Sequence, residues 1–285
     1  MRVLPGLLSA ASIARPHNCL IAAASVATGA FLARGSLGGR AVAASVMAFL
    51  VCAGAYALND YYDVAADRLN RPSRPLVTGS VGTGFVLGLT VVCWAGAGVA
   101  AVFGGKQSAA FGVVWVALLW LYSWRLKGLG LAGHVVVSAV ASSGFLLGAA
   151  SGGRASAGIM PGLVALALHL GREFAKGVAD LAGDRAAGVR TLAVRIGGRR
   201  VLMLSLVCIG SLAVVSVLPF TVLGYGLGYM LPVALVGYPL LGTCVYFIIA
   251  ACGDERKVEG AGRAVAGLLK AVMPVGLVAF LMGGM

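Results

Sequence analysis

Nine long apolar stretches decide what this chain can become. They run near residues 18–33, 41–59, 84–103, 108–124, 132–150, 158–176, 201–219, 229–251 and 264–284. An α-helix needs about 20 apolar residues to cross the hydrocarbon core of a bilayer, and inside lipid it satisfies its own backbone hydrogen bonds. Charged residues make up 11% of the 285 positions, against about a quarter in a soluble domain, so the chain cannot clothe a water-facing surface. Its 43 glycines, with many alanines and serines, suit helices that approach one another closely in lipid. The sequence therefore predicts an all-α polytopic membrane protein. A single domain over residues 1–285 is expected, with about nine transmembrane helices around a central cavity. The first and sixth stretches are the weakest, because each contains polar residues.

The opening segment, MRVLPGLLSAASIARP, has too short an apolar run and no convincing cleavage site for a signal peptide. It is expected to form an amphipathic lead-in helix on the membrane surface. Orientation follows from the basic residues, which accumulate on the cytoplasmic side. Of the 22 lysines and arginines, 17 fall in one alternating set of segments, and Arg34, Arg40, Lys106 and Arg154 fall in the other; Lys270 is left inside the last stretch. This places the N-terminus in the cytoplasm and, with nine spans, the C-terminus outside, in a multi-pass cell-membrane protein. The net charge of +13 lies in short loops beside spans, without the continuous basic face that nucleic acid requires. Attraction to anionic headgroups accounts for it, and no nucleic-acid partner is expected. The six cysteines are scattered without CxxC spacing and read as small apolar residues. With His17, His134 and His169 they form no zinc-ligand pattern.

The acid is more informative. None of the nine acidic residues precedes Asp60. Asp254, Glu255 and Glu259 mix with Arg256, Lys257 and Arg263 in what reads as an ordinary solvated turn. The other six form two groups, Asp60, Asp63 and Asp67 after the second stretch, and Glu173, Asp180 and Asp184 after the sixth. At about 100° per residue, Asn59, Asp63 and Asp67 share a helix face with Asp60 close by, and Glu173, Lys176, Asp180 and Asp184 share another. Charge at membrane depth is costly and marks a cavity or an ion path. Two facing carboxylate stripes need positive charge between them. Oxygen ligands without His or Cys suit Mg²⁺, which takes one or two carboxylates together with phosphate oxygens. The adjacent Arg68, Arg71, Arg74, Arg185 and Arg190 suit the remaining phosphate charge. The two stripes also hint at weak pseudo-repeat halves, about 1–130 and 131–285.

These residues carry a family resemblance over essentially the whole chain. Asn59-Asp60-Tyr61-Tyr62-Asp63-Val64-Ala65-Ala66-Asp67 resembles the NDxxDxxxD motif of the UbiA superfamily of intramembrane prenyltransferases. Asp180-Leu181-Ala182-Gly183-Asp184 resembles its second, DxxxD-type motif. Arg15-Pro16-His17-Asn18 is similar to the RPxN element opening the first span, and Tyr122-Ser123-Trp124-Arg125-Leu126-Lys127 to the Tyr-and-Lys loop after the fourth. DRLNRPSRPL and GDRAAGVRTLAV most resemble the archaeal branch that makes digeranylgeranylglyceryl phosphate. Where members of that branch carry further acids this chain has Gly177, Ala179 and Ala182, which leaves Asp180 and Asp184 as the ligands of the second motif.

The resemblance implies a UbiA-like fold and a Mg²⁺-dependent transferase. Asn59, Asp63, Asp67, Asp180 and Asp184 would hold two ions on a prenyl diphosphate donor, and the four aspartates would be the catalytic set. Asn18, Asp60, Arg68, Arg71, Arg74, Tyr122, Ser123, Lys127, Arg172, Lys176 and Arg185 would contact substrate. A geranylgeranyl group would pass to a lipid acceptor, geranylgeranylglyceryl phosphate, in archaeal-type ether lipid synthesis. An aromatic acceptor such as 4-hydroxybenzoate, another quinone precursor or a porphyrin is the alternative. A cation transporter is the distant one, since acid can line an ion path, but transport sites sit near the midplane and these stripes lie at one edge.

Overall fold

The computed structural model describes residues 11–284. Among the described residues it is all-helical, and nine helices are long and apolar enough to cross a membrane. The first two spans are α1 (Pro16–Arg34) and α2 (Gly39–Tyr62), and a short α3 (Val64–Asn70) continues from the second. Spans three and four are α4 (Thr83–Gly104) and α5 (Lys106–Trp124). The fifth is built from α6 (Leu131–Ser142) and α7 (Gly144–Ser151), and the sixth is α8 (Ile159–Ala179), extended by α9 (Leu181–Ala186). The seventh is α10 (Gly198–Val215). The eighth joins α11 (Leu227–Pro232) to α12 (Tyr238–Ala251) through a π-turn, where Pro232 withholds a backbone donor. The last is α13 (Glu255–Gly283). Each apolar stretch of the sequence lies on one of these spans. The lead-in helix expected for the first residues lies mostly outside the described region; within it, residues 11–14 are helical and Ile13 is buried.

Large apolar side chains occur both inside the bundle, as with Met47, Leu147, Tyr229 and Phe280, and on its outer face. Large side chains such as Val92, Val102, Phe103, Val113 and Leu235 are exposed, whereas Ala30, Ala44, Ala48, Ala57, Ala97 and Ala175 are buried. Lipid solvates the large apolar groups, and helix contact then favours small ones. Gly148 shows how close the approach is, because a Cβ there would lie 1.8 Å from the Val26 carbonyl oxygen. One buried cluster gathers residues of α1, α2, α4, α5, α6 and α7, and a second gathers α8, α10, α11, α12 and α13. Helix α13 begins well before the apolar stretch near 264–284. Apolarity ends there but helix formation does not, and Asp254 starts the helix by accepting a hydrogen bond from the Arg256 backbone N–H at 3.0 Å. The third acidic group, expected as a solvated turn, is instead the start of a helix at the surface, with Glu255 and Glu259 in its first turns.

Candidate active site

The second span does not run straight through its acidic motif. Helix α2 stops at Tyr62, Asp63 takes φ −90°, ψ 1°, and the chain resumes as α3. The sixth span does the same: α8 stops at Ala179, Asp180 takes φ −95°, ψ 2°, and α9 follows. Both residues sit in the sparsely allowed bridge region where functional residues are often found. The expectation of one continuous helical stripe is corrected here to a stripe on a broken helix. The stripe survives because i→i−4 bonds run through each break. The Asp63 N–H donates to Asn59 O at 2.9 Å and Asp67 N–H to Asp63 O at 2.8 Å, while Asp180 N–H reaches Lys176 O and Asp184 N–H reaches Asp180 O, each at 3.0 Å.

The two breaks bring α3 and α9 together. Asn70, the last residue of α3, fastens them. Its Nδ2 donates to the Asp180 carbonyl at 3.0 Å and its Oδ1 accepts from the Gly183 N–H at 3.0 Å. Gly183 permits this, since a Cβ there would lie 2.4 Å from the Asn70 carboxamide.

Asp60, Asp67, Asp180 and Asp184 are all buried, and cations lie among them. Arg71 bridges the motifs, with Nη2 donating to Asp180 Oδ1 at 2.6 Å and Nη1 to Asp67 Oδ1 at 3.2 Å. Lys127, on the 3₁₀ turn Leu126–Leu129, bridges them again, 2.7 Å from Asp63 Oδ1 and 3.9 Å from Asp184 Oδ1. Arg74 pairs with Asp60 at 2.9 Å and also with Asp67, and Arg15 pairs with Asp60. Asn59 Nδ2 donates to Asp63 Oδ2 at 2.7 Å. Among the described residues no three His, Cys, Asp or Glu side chains converge on one ion-sized point, because Arg71 and Lys127 hold the carboxylates from between.

The electrostatics separate the carboxylates. Burial alone would raise the Asp63 pKa, but the Lys127 ammonium and the Asn59 amide hold it below the usual range. At Asp184 burial wins over Lys127, with help from the Asp180 and Asp63 charges, and the carboxyl is pushed up to about 6. Its Oδ1 is buried and accepts no hydrogen bond. Burial would likewise lower Arg71 and Lys127, yet their carboxylate partners raise both. These directions follow from loss of hydration opposed by adjacent opposite charge.

Between the two buried clusters lies a large, partly open cavity. Its wall is apolar along Val51, Trp115, Leu119, Val140 and Met273, and polar toward the acidic motifs, where Asn18, Asn59, Tyr122, Ser123, Arg172 and Lys176 line it. Tyr122, Glu173 and Lys176 also border a small pocket that holds Lys127, Asp180 and Asp184, so the cavity runs up to the acidic cluster. Of the residues predicted from sequence, Arg68 and Arg185 stay exposed and join no ion pair among the described residues. Sequence reasoning passed over Asn70, and it gave Tyr56, His134 and His169 no place in the cavity or pocket walls they border. The one signal for Asn70 is its position between Leu69 and Arg71 in the basic loop, and that does not distinguish it from a surface amide.

The UbiA prenyltransferase family model matches residues 21–259. The digeranylgeranylglyceryl phosphate synthase of Methanopyrus kandleri is 37% identical over 270 residues, covering 94% of this chain and 96% of its own. That of Thermococcus kodakarensis is 34% identical, covering 96% of each. Among solved structures, one of digeranylgeranylglyceryl phosphate synthase is 23% identical with a TM-score of 0.71, covering 98% of both chains. A UbiA homolog from Archaeoglobus fulgidus bound to GPP and Mg²⁺ is 15% identical with a TM-score of 0.62, covering 94% of this chain and 99% of its own. At these identities the structures establish the shared fold.

Proposed function

The chain belongs to the UbiA prenyltransferase family, and on that premise we propose that it transfers a geranylgeranyl group from its diphosphate to geranylgeranylglyceryl phosphate, as in archaeal-type ether lipid synthesis. The observation that carries this reading is the joining of two acidic motifs at the end of an apolar cavity. The Methanopyrus kandleri and Thermococcus kodakarensis relatives, both digeranylgeranylglyceryl phosphate synthases, support the acceptor.

The residues fit divalent metal. Asp184 presents a buried oxygen with no hydrogen-bond donor. Asp63, Asp67 and Asp180 bring further hard oxygens from two helix ends, with Asn59 beside them, and a homolog of the same fold is bound to Mg²⁺. Asn59, Asp63, Asp67, Asp180 and Asp184 are the proposed ligands, for two ions. Bound there, Mg²⁺ supplies Lewis-acid neutralisation of the diphosphate as it leaves.

The chain's own residues do the rest. Arg71, Arg74 and Lys127 stand within the acidic cluster, where they can turn from carboxylate to diphosphate oxygens with charge-assisted hydrogen bonds. The apolar wall holds the prenyl chain, and the aromatic rings of Tyr56 and Tyr122 line the cavity near Asn59 and Lys176. Such rings stabilise the positive charge that develops at the allylic carbon. As the C–O bond to diphosphate breaks, the acceptor hydroxyl attacks that carbon and its proton passes to the departing diphosphate, while the apolar wall of the cavity disfavours competing water. The excess of basic residues in one set of loops supports a cytoplasmic N-terminus and active site, with the C-terminus outside.

The test offers purified protein, Mg²⁺ and labelled geranylgeranyl diphosphate to geranylgeranylglyceryl phosphate and to 4-hydroxybenzoate in parallel. Product from the first is expected. Product from the second alone would reassign the acceptor class, and no product with no diphosphate release would overturn the proposal.

A further inference from the structure

Between Asp184 and the short helix Leu192–Ile196 the chain turns back on itself. The turn is made at Gly188, whose φ of 71° glycine adopts at little cost. The Gly188 N–H donates to Arg185 O at 3.2 Å and the Val189 N–H to Asp184 O at 2.9 Å, the two bonds that close a Schellman-type helix end. The Thr191 N–H then donates to Val189 O at 3.0 Å. Successive backbone bonds therefore lead from Asp184 to Thr191 and fix where its side chain lies. From the outside, Arg195 straps the same segment to the turn that carries Lys127. Its Nε donates to Arg190 O and its Nη2 to Gly128 O, each at 2.8 Å.

Thr191 holds the N-cap position of the short helix, where a threonine hydroxyl ordinarily accepts from a backbone N–H of the first turn. It makes no such bond. The residue is 4% exposed, and its Oγ1 is buried with no hydrogen-bond partner among the described residues. Asp184 Oδ1 is in the same condition. Both side chains line the small pocket with Lys127 and Asp180, and the hydroxyl is near enough to the Asp184 carboxyl to act on its charge. A buried polar atom without a partner is costly, and here a donor and an acceptor lack one on the same pocket wall.

We propose that Thr191 is a positioning residue for the metal site, its hydroxyl donating to the Asp184 carboxylate and fixing which oxygen of that group faces the ion. Carboxylates that bind metal are oriented by such outer hydrogen bonds. The other donor at hand is already engaged, since Lys127 lies 2.7 Å from Asp63 Oδ1 and reaches Asp184 Oδ1 only at 3.9 Å. Thr191 acts through Asp184 and touches no reacting atom. The role deepens the function proposed above and rests on its metal site.

The test compares wild type, Thr191→Val and Thr191→Ser. Tm is followed in detergent against Mg²⁺ in the presence of a geranylgeranyl diphosphate analogue whose bridging oxygen is sulfur, and steady-state turnover of the true donor is measured alongside. Valine keeps the shape and removes the hydroxyl. Metal-free Thr191→Val should therefore melt at or above the wild-type temperature, because it deletes a group with no partner. The Mg²⁺ concentration for half-maximal stabilisation, and the KM for Mg²⁺, should each rise about 10–100-fold, with the acceptor KM unchanged. Thr191→Ser should restore both. An unchanged Mg²⁺ dependence in Thr191→Val overturns the role. So does a lower metal-free Tm in Thr191→Val, which would mark the hydroxyl as a bond the fold already uses. A wild type whose Tm ignores Mg²⁺ overturns the metal site and this role together. Stabilisation by Mg²⁺ that depends on the Thr191 hydroxyl, with no prenyl product from wild type, refutes the reaction and leaves the role standing.

Discussion

At the scale of single residues, the acidic cluster is organised by which carboxylates have a donor and which do not. Asp63 has two, Lys127 and Asn59; the buried Asp184 Oδ1 has none. On the proposed metal role, Asp63→Asn and Asp184→Asn should each lower Mg²⁺-dependent release of diphosphate by at least about 100-fold. Both variants should still insert and stay monodisperse in detergent, and steady-state assays alongside size-exclusion profiles check the pair. The choice of these residues was legible in the sequence, because acid is so rare in a chain of this composition that its placement is information. The sequence could not show that Arg71 and Lys127 sit between the motifs, or that Arg68 and Arg185 do not. All four are basic residues beside an acidic stripe, and which turn inward depends on loop geometry.

At the scale of elements, the site depends on two broken helix ends fastened by one amide. Asn70→Ala removes two hydrogen bonds and leaves the Gly183 N–H and the Asp180 carbonyl to find other partners. A cost of about 1–3 kcal/mol is expected, read as a lower Tm together with weaker Mg²⁺ binding in titration calorimetry. Helix contact deeper in the bundle gives a second prediction. Gly148→Ala forces α7 away from the Val26 carbonyl and should cost about 1–3 kcal/mol. Gly88→Ala on α4 meets nothing within 4 Å and should leave Tm unchanged or slightly higher. The breaks at Asp63 and Asp180 were not legible, since neither motif holds a proline, and Gly183 lies beyond its break.

At the scale of the whole molecule, the site lies where α3 and α9 meet, at one end of a cavity between two packed clusters. Arg71 and Lys127 already bridge the two motifs in this conformation. Stripping metal with a chelator should therefore leave the fold intact and Tm nearly unchanged, while Mg²⁺ with a diphosphate should raise Tm by linkage. Arg71→Gln should lower Tm more in the chelated protein than in the loaded one, which differential scanning fluorimetry can measure. The proposed topology predicts that a reporter active only outside the cell works when fused to the C-terminus and fails when fused after Arg125.

The sequence by itself determined the solvent, the number of spans and the carboxylates worth attention. Each of these follows from composition over a stretch of chain, namely a low charged fraction, apolar length and the scarcity of acid. The tertiary structure decided which cations lie among the aspartates, where the helices break and how Asn70 joins the motifs. Those contacts join residues as distant in sequence as Asn70 and Gly183, they are fixed by how small-residue helix faces pack, and no local pattern encodes them.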